Sequence, residues 1–254
     1  MKNKPLLTLL LLAATLTARA QTATYMIGAG PTRALDTYLT PEHYAGTGIT
    51  YLYIGERRKP DSRWSTLMEH EIDLASMQDR SKSTSMLEGS YNLYWGRHYR
   101  WQTAGDRLRL QAGALVNANL GFLYGLSSSN NPAQARLSLN IMPSAIATYG
   151  FTLFRQQFSL RYELDLPLAG IMFSPNYGQS YYEIFSRGNY DHNIVPTTFV
   201  SAPTLRQLLT LEWQTGRKWN IRLGYLGNYQ QAQVNSLKQH VYTHRILIGI
   251  SRKI

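Results

Sequence analysis

The sequence predicts an all-β fold: an antiparallel transmembrane β-barrel of about ten strands, within a range of eight to twelve. Three observations carry this prediction. Long segments alternate apolar and polar residues, the N-terminus has the pattern of an export signal, and no apolar run after residue 20 is long enough for a helical membrane span.

The clearest alternation lies in residues 108–126. Every even-numbered residue from Leu108 to Leu126 is apolar, and the residues between them are mostly polar or small. Successive side chains on a strand point to opposite faces, so this strand has one apolar and one polar face. It is also much longer than the strands of about five or six residues that soluble sheets use. A long two-faced strand fits a barrel wall between lipid and water.

The remaining strands follow the same pattern. Strong alternation occurs in segments 64–77, 85–96, 135–153, 157–172, 204–213, 219–231 and 241–254, and weak alternation in 23–30 and 45–56. Together with 108–126 these segments give ten strands, and an even count is the rule for single-chain bacterial barrels.

The connections are predicted from the same assignment, with the N-terminus placed in the periplasm. Inner turns are expected near 57–63, 97–106, 154–156 and 214–218. Outer loops are expected near 31–43, 78–84, 127–134, 173–198 and 232–240, which puts the longest loop outside. The five Trp residues all lie at or beside the inner turns, and indole rings prefer the membrane–water boundary. They are Trp64, Trp95, Trp101, Trp213 and Trp219.

The N-terminus indicates export. Lys2 and Lys4 precede an apolar run over 6–16, and Ala18-Arg19-Ala20 supplies a cleavage pattern. Residues 1–20 are therefore predicted to be a secretory signal peptide and 21–254 a single outer-membrane barrel domain. The sequence has no Cys, which excludes disulfides and a lipid anchor on the first mature residue. The expected location is the outer membrane of a Gram-negative bacterium.

The competing architecture is a soluble β-sandwich or lipocalin-like barrel, which would bury the apolar faces in a protein core. The apolar faces carry almost no charge, and this favours lipid contact. The chain is basic, with 26 Lys+Arg against 15 Asp+Glu. This charge suits outer-membrane lipid and lipopolysaccharide, and no concentrated Lys/Arg run predicts nucleic-acid binding. The barrel-insertion machinery is the other expected partner.

The polar strand faces carry charges of both signs, which would point into the lumen. Buried charges are tolerated when they are paired, so these residues form either a structural network or a charged pore lining. About ten strands leave little interior space, and a plugged lumen is the preferred interpretation. The residues are Glu69, Glu71, Asp73, Glu88, Arg107, Arg109, Arg136, Arg161, Glu163, Asp165, Arg206, Glu212, Arg222 and Arg245.

The longest predicted loop holds the candidate ligand contacts. Tyr side chains offer contact area at low entropic cost, although the same residues also suit a packed lid or an aromatic girdle. The candidates are Tyr177, Gln179, Ser180, Tyr181, Tyr182, Glu183 and His192. His70 and His244 share the parity of lipid-facing residues, where a His is costly, so a position nearer an interface is expected for them.

Catalysis has weak support in the sequence. A lipid-modifying hydrolase would draw on Ser180, Glu183, His192 and His240, but no nucleophile-elbow spacing is present. No paired Cys or His spacing suggests a transition metal, and Gly28-Ala29-Gly30 lacks the following helix of a dinucleotide site. No cofactor and no catalytic residue are predicted.

Three distinctive segments resemble a known family. They are 35–41 with Tyr44 and Gly46, then 173–185, and then 224–226 continuing through Gln230, Gln231, Asn235, Lys238 and His240. The chain resembles a family of exported proteins from Gram-negative gut and oral anaerobes that is classed as a domain of unknown function. The resemblance implies an outer-membrane barrel and no particular activity. The leading functional prediction is a non-enzymatic barrel that binds a surface ligand or supports the envelope; a narrow solute channel and the hydrolase are the alternatives.

Overall fold

A computed structural model describes residues 21–103, 107–127, 132–216 and 218–253. The predicted signal peptide and its cleavage site lie outside these residues and stay predictions. Within the described ranges, no helix combines the length and apolar character that a membrane crossing needs.

The described residues form twelve strands and one short helix. In chain order they are β1 (Thr22–Asp36), β2 (Thr40–Arg58), β3 (Trp64–Asp79), β4 (Ser85–Thr103), β5 (Leu108–Gly125), β6 (Ala133–Leu153), β7 (Gln156–Asp165), β8 (Ala169–Phe173), α1 (Tyr181–Phe185), β9 (Ile194–Thr198), β10 (Leu205–Gln214), β11 (Trp219–Val234) and β12 (Leu237–Lys253).

Ten of the strands close into an antiparallel barrel. β1 to β7 pair in chain order, β7 pairs with β10, and β10, β11 and β12 lead back to β1. β8 and β9 stand outside the ring, where β8 pairs with β6 and with β9. The prediction of an all-β antiparallel barrel with ten strands is confirmed. We call the side of the barrel where β1 begins and β12 ends the inner end, and the opposite side the outer end.

Two of the predicted outer loops are wrong. Segment 31–43 is mostly strand, because the β1–β2 pairing continues up to a turn over 37–39. Segment 232–240 is also strand except for Asn235 and Ser236, whose φ angles of 50° and 60° make a tight two-residue turn. Backbone hydrogen bonds extend both hairpins where the side-chain alternation that the prediction relied on has faded.

The inner turn predicted at 97–106 is also too long. β4 continues to Thr103, so Trp95 lies well inside the strand and not beside a turn. The other four Trp residues lie at or near inner strand ends. All five indoles are between 41% and 53% exposed, on the outward surface of the barrel.

The predicted strand 157–172 is interrupted. Leu166 and Leu168 donate backbone hydrogen bonds to Pro143 and Ile141 at 3.1 and 2.8 Å, which carries the chain from β7 into β8 along the same neighbour, β6. The chain then forms α1 and β9 and returns to the barrel at β10. We call residues 166–204 the outer cap. The predicted outer loop 173–198 lies within this cap and includes α1, β9 and the last residue of β8.

The interior contains an apolar layer that the sequence analysis missed. Met26, Leu52, Leu115 and Leu247 belong to a cluster of buried inward residues drawn from most of the barrel strands. A second inward cluster, including Met77 and Leu123, lies nearer the outer end. The outward apolar residues, in contrast, remain exposed to the surroundings of the barrel, for example Ile27 at 63% and Ile248 at 60%.

Candidate functional site

Arg206 is the centre of the largest ion cluster in the lumen. Its side chain is fully buried, at 0% exposure. It donates to four carboxylates: Glu71 from Nε at 2.9 Å, Asp165 and Glu163 from Nη1 at 2.9 and 3.3 Å, and Glu69 from Nη2 at 2.5 Å. The guanidinium also lies over the ring of Tyr94, 4.4 Å from its centroid. These contacts satisfy a buried cation with charge-assisted hydrogen bonds and a ring face.

This cluster spans the lumen, because its residues lie on strands at opposite sides of the ring. Arg206 lies on β10, whereas Glu69 and Glu71 lie on β3, five strands away in the closed order. In a ten-stranded ring these strands are on opposite walls. Arg161 adds a second guanidinium, 2.5 Å from Glu163, so four carboxylates share two arginines.

Arg245 forms a second cluster toward the outer end. It donates to Thr50 and Thr32 at 2.9 and 2.8 Å and lies 3.4 Å from Asp73. It also donates to the carbonyls of Gly30 and Pro31, both at 2.9 Å. The β1–β12 ladder skips these two residues. A Pro there removes a ladder donor, and the carbonyls left over become acceptors for the arginine.

A third pair lies beside these clusters. Arg136 is 3.7 Å from Glu88 and donates to Gln230 at 2.5 Å. Ten of the predicted lumen charges therefore fall in buried clusters around Arg206, Arg245 and Arg136. The other four, Arg107, Arg109, Glu212 and Arg222, line an open cavity instead.

This cavity lies at the inner end, and we call it the inner vestibule. It has a volume of about 620 Å³, and the described residues that line it include seven cationic side chains and two carboxylates. The cations are Arg58, Arg100, Arg107, Arg109, Arg161, Arg222 and Lys253, and the acids are Glu56 and Glu212. Sequence alternation assigned several of these residues to the lumen face. It could not show that they meet at one mouth, because that depends on the register of all ten strands.

The outer cap holds the predicted ligand contacts in two different environments. Gln179 is 8% exposed and accepts from the Asn193 side chain at 2.7 Å, so it is part of the packing of the cap. Tyr181 donates to Gln134 and accepts from the Ala135 N–H, both at 2.7 Å, which fastens α1 to the barrel rim. These two residues hold the cap in place and have little surface to offer a ligand.

Ser180 and Glu183 form the N-terminal cap of α1. Glu183 N–H donates to Ser180 Oγ at 3.2 Å, and Ser180 N–H donates to Glu183 Oε2 at 2.7 Å. The Ser180 N–H and the Ser180 hydroxyl, which donates to Glu183 Oε2 at 3.1 Å, hold the pKa of the Glu183 carboxyl below its usual value. Among the described residues, the hydrogen bonds of the Ser180 hydroxyl are with Glu183.

The predicted histidines are elsewhere. His192 is 80% exposed and pairs with Asp191 at 2.6 Å, and His240 stacks on Tyr242 with ring centroids 4.5 Å apart. The described residues therefore do not assemble Ser180, Glu183 and a His into a catalytic triad. The same part of the chain has no group of three His, Asp or Glu placed to hold a metal ion.

The exposed side chains of the cap include several large aromatic residues. Tyr177 is 76% exposed and Tyr182 is 62% exposed. Phe185 and Tyr190, each at 63%, add to this aromatic surface, and Arg187 lies over the Tyr182 ring at 5.5 Å. The cap thus presents an aromatic and partly charged surface at the outer end.

A sequence model for the family described as "Protein of unknown function (DUF3316)" matches residues 7–254. The chain belongs to this family. No curated protein matches the chain significantly. DUF3316 membership agrees with the resemblance to a domain of unknown function, while the assignment to anaerobes stays a prediction.

The solved structures that are similar to this DUF3316 chain include three proteins with low TM-scores. The transport unit of the autotransporter AIDA-I from Escherichia coli has a TM-score of 0.48 at 8% identity, covering 97% of each chain. The beta domain of the Bordetella autotransporter BrkA has a TM-score of 0.41 at 10% identity, covering 92% of this chain and 100% of that one. Neisserial surface protein A has a TM-score of 0.37 at 11% identity, with coverages of 92% and 98%. Scores below 0.5 at these identities say nothing about what this chain does.

Two histidines of the DUF3316 chain face outward, as their parity predicts. His70 is only 8% exposed, because Tyr53 and Tyr91 cover it, and its Nδ1 lies 2.7 Å from the Tyr91 hydroxyl. His244 Nδ1 lies 2.7 Å from the Tyr225 hydroxyl. Each outward imidazole therefore has a local hydrogen-bond partner, which reduces the cost of an apolar setting.

Proposed function

We propose that this chain is an outer-membrane β-barrel with a closed lumen, which acts without catalysis by binding a ligand at its outer cap. The outward surface supports the membrane assignment: its apolar residues are exposed along the barrel wall, and its Trp residues gather toward the inner end. Lipid and lipopolysaccharide are its proposed surroundings, and the barrel-insertion machinery is its proposed route of assembly.

The observation that carries the closed lumen is the contact of Arg206 with Glu69 and Glu71. These hydrogen bonds of 2.5 and 2.9 Å join opposite walls through side chains that are 0% exposed. The side chains around Arg206 fill the cross-section of the lumen, so a hydrated ion has no route through it. The apolar layer around Leu52 and Leu115 blocks the axis a second time.

Planar-bilayer recording of the refolded protein tests this closure. We expect no steady single-channel steps from the intact chain, whereas a refolded porin in the same bilayer gives them. Reproducible steps from the intact chain, with a conductance that follows salt concentration, would overturn the closed lumen and favour the solute channel.

The exposed aromatics carry the proposed binding role. Tyr residues with most of their surface free at the end of a rigid barrel offer contact area at low entropic cost. In the double variant Tyr177→Ser/Tyr182→Ser, affinity for purified lipopolysaccharide micelles should fall by about tenfold or more, in the range of aromatic hot spots. Phe154→Ser, at the exposed inner turn between β6 and β7, is the matched control because it lies at the opposite end of the barrel. Equal affinity in the double variant and the intact chain would refute a binding role for this surface.

A further inference from the structure

The inner vestibule has a charge that its own residues do not balance. Arg222 donates to Glu212 at 2.5 Å, and Arg161 lies 2.5 Å from Glu163. Apart from Arg161, whose partner Glu163 lies outside the lining, the described residues of the lining comprise six cationic side chains and two carboxylates, Glu56 and Glu212. The excess of positive charge is concentrated in one concave space.

The floor of the vestibule is apolar and therefore has a low dielectric constant. Ile54 lines the cavity and also belongs to the buried apolar cluster of the lumen. Beside this floor, Arg109 Nε is buried without a hydrogen-bond partner among the described residues. Like charges repel more strongly next to an apolar wall than in open water, and a buried donor without an acceptor is costly. An anion in the vestibule would relieve both costs.

The remaining lining suits the same occupant. Thr22, Thr24, Thr148 and Thr210 contribute hydroxyls around the arginines. Guanidinium groups bind phosphate and carboxylate oxygens through paired N–H donors, and hydroxyls supply further donors. The volume of about 620 Å³ lies in the range of small-molecule sites, and the filled lumen closes the far side.

We propose that the inner vestibule is a binding site for a small polyanion that carries two or more phosphate or carboxylate groups. The site is separate from the outer cap and does not depend on the ligand proposed there. With the inner end in the periplasm, it would sample anions of that compartment.

Isothermal titration of the refolded full chain with inorganic pyrophosphate at constant ionic strength tests the site. We expect saturable one-to-one binding that Arg109→Gln weakens by about tenfold, the loss of a charge-assisted hydrogen bond. Arg57→Gln is the matched control. Arg57 is exposed near the inner end of β2 and does not line the cavity, although the next residue, Arg58, does. Its affinity should match that of the intact chain.

The contradicting results are equally specific. Any of three results would contradict the site and indicate diffuse counter-ions instead. They are the absence of saturable pyrophosphate binding, equal weakening of that binding by Arg109→Gln and Arg57→Gln, and competition by chloride as effective as that of pyrophosphate itself. Arg107→Gln repeats the test if Arg109→Gln fails to refold, with the heat-dependent shift on gel electrophoresis as the check of folding. Citrate in place of pyrophosphate distinguishes a carboxylate ligand from a phosphate ligand, and stronger binding of either supports the site.

Discussion

Replacing Arg206 by Met tests the lumen network at its centre. The substitution keeps most of the side-chain length but removes the donors of four hydrogen bonds to carboxylates. Four acids are then left with the single guanidinium of Arg161, inside a space that excludes water. Some of them have to bind protons for the barrel to stay folded.

The cost can be worked from that protonation. A carboxyl with an ordinary pKa near 4.3 costs about 3.7 kcal/mol to protonate at pH 7, because each pH unit is worth about 1.36 kcal/mol. One or two protons give about 4–7 kcal/mol, which overlaps the cost of about 3–5 kcal/mol for removing one partner of a buried pair. At pH 5 each proton costs only about 1 kcal/mol, so the loss should shrink to about 1–2 kcal/mol.

Urea unfolding of the refolded protein in lipid vesicles at pH 7 and pH 5 measures both values. Arg57→Met is the control, since Arg57 is exposed and its loss should change the free energy of unfolding by less than about 0.5 kcal/mol. A loss below about 1 kcal/mol for Arg206→Met at pH 7, or a loss that grows on acidification, would refute the reasoning.

Three further predictions concern other parts of the chain. Tyr181→Phe removes the donor to Gln134 and the acceptor of the Ala135 N–H, so the outer cap should become faster to cut in limited proteolysis, by about tenfold, whereas Tyr182→Phe, on an exposed ring, should leave the rate unchanged. Ser236→Gly should raise the free energy of unfolding by about 1 kcal/mol in urea, because Ser236 has a φ of 60° that glycine adopts without strain; a loss of stability would contradict this. Ile248→Arg puts a charge on the outward face, where Ile248 is 60% exposed, and should cost about 2–4 kcal/mol in lipid vesicles; a change below about 0.5 kcal/mol would argue against lipid contact.

The barrel could be predicted from the sequence because its main signal has a period of two. The exposed Ile248 and the buried Arg245 of β12 fall on the faces that their parity gives, and the strand count follows from the number of such segments. The ends of the strands were less predictable. The turn at Asn235 and Ser236 and the continuation of β4 to Thr103 depend on backbone pairing, which the side-chain pattern does not record.

The candidate sites divide in the same way. Parity placed Arg206 and Glu71 on inward faces, but their hydrogen bond joins residues 135 positions apart across the barrel and depends on the accumulated register. The apolar layer around Leu52 and Leu115 was missed because an isolated Leu on a polar face reads as an exception. In the outer cap, Tyr181 is packed and Tyr182 is exposed. This difference follows from the path of α1, which the periodicity of the sequence does not predict.

Oxygen and nickel-chelate accessibility of nitroxide labels tests the contact between the outward face and lipid most directly. The sequence has no Cys, so single substitutions place a label without background. In lipid vesicles, labels at Leu139 and Ile248 should collide with oxygen and be shielded from the nickel chelate, whereas a label at the exposed Tyr182 of the cap should meet the chelate freely. The account would be contradicted if the chelate reached all three positions equally and the protein also stayed soluble without detergent.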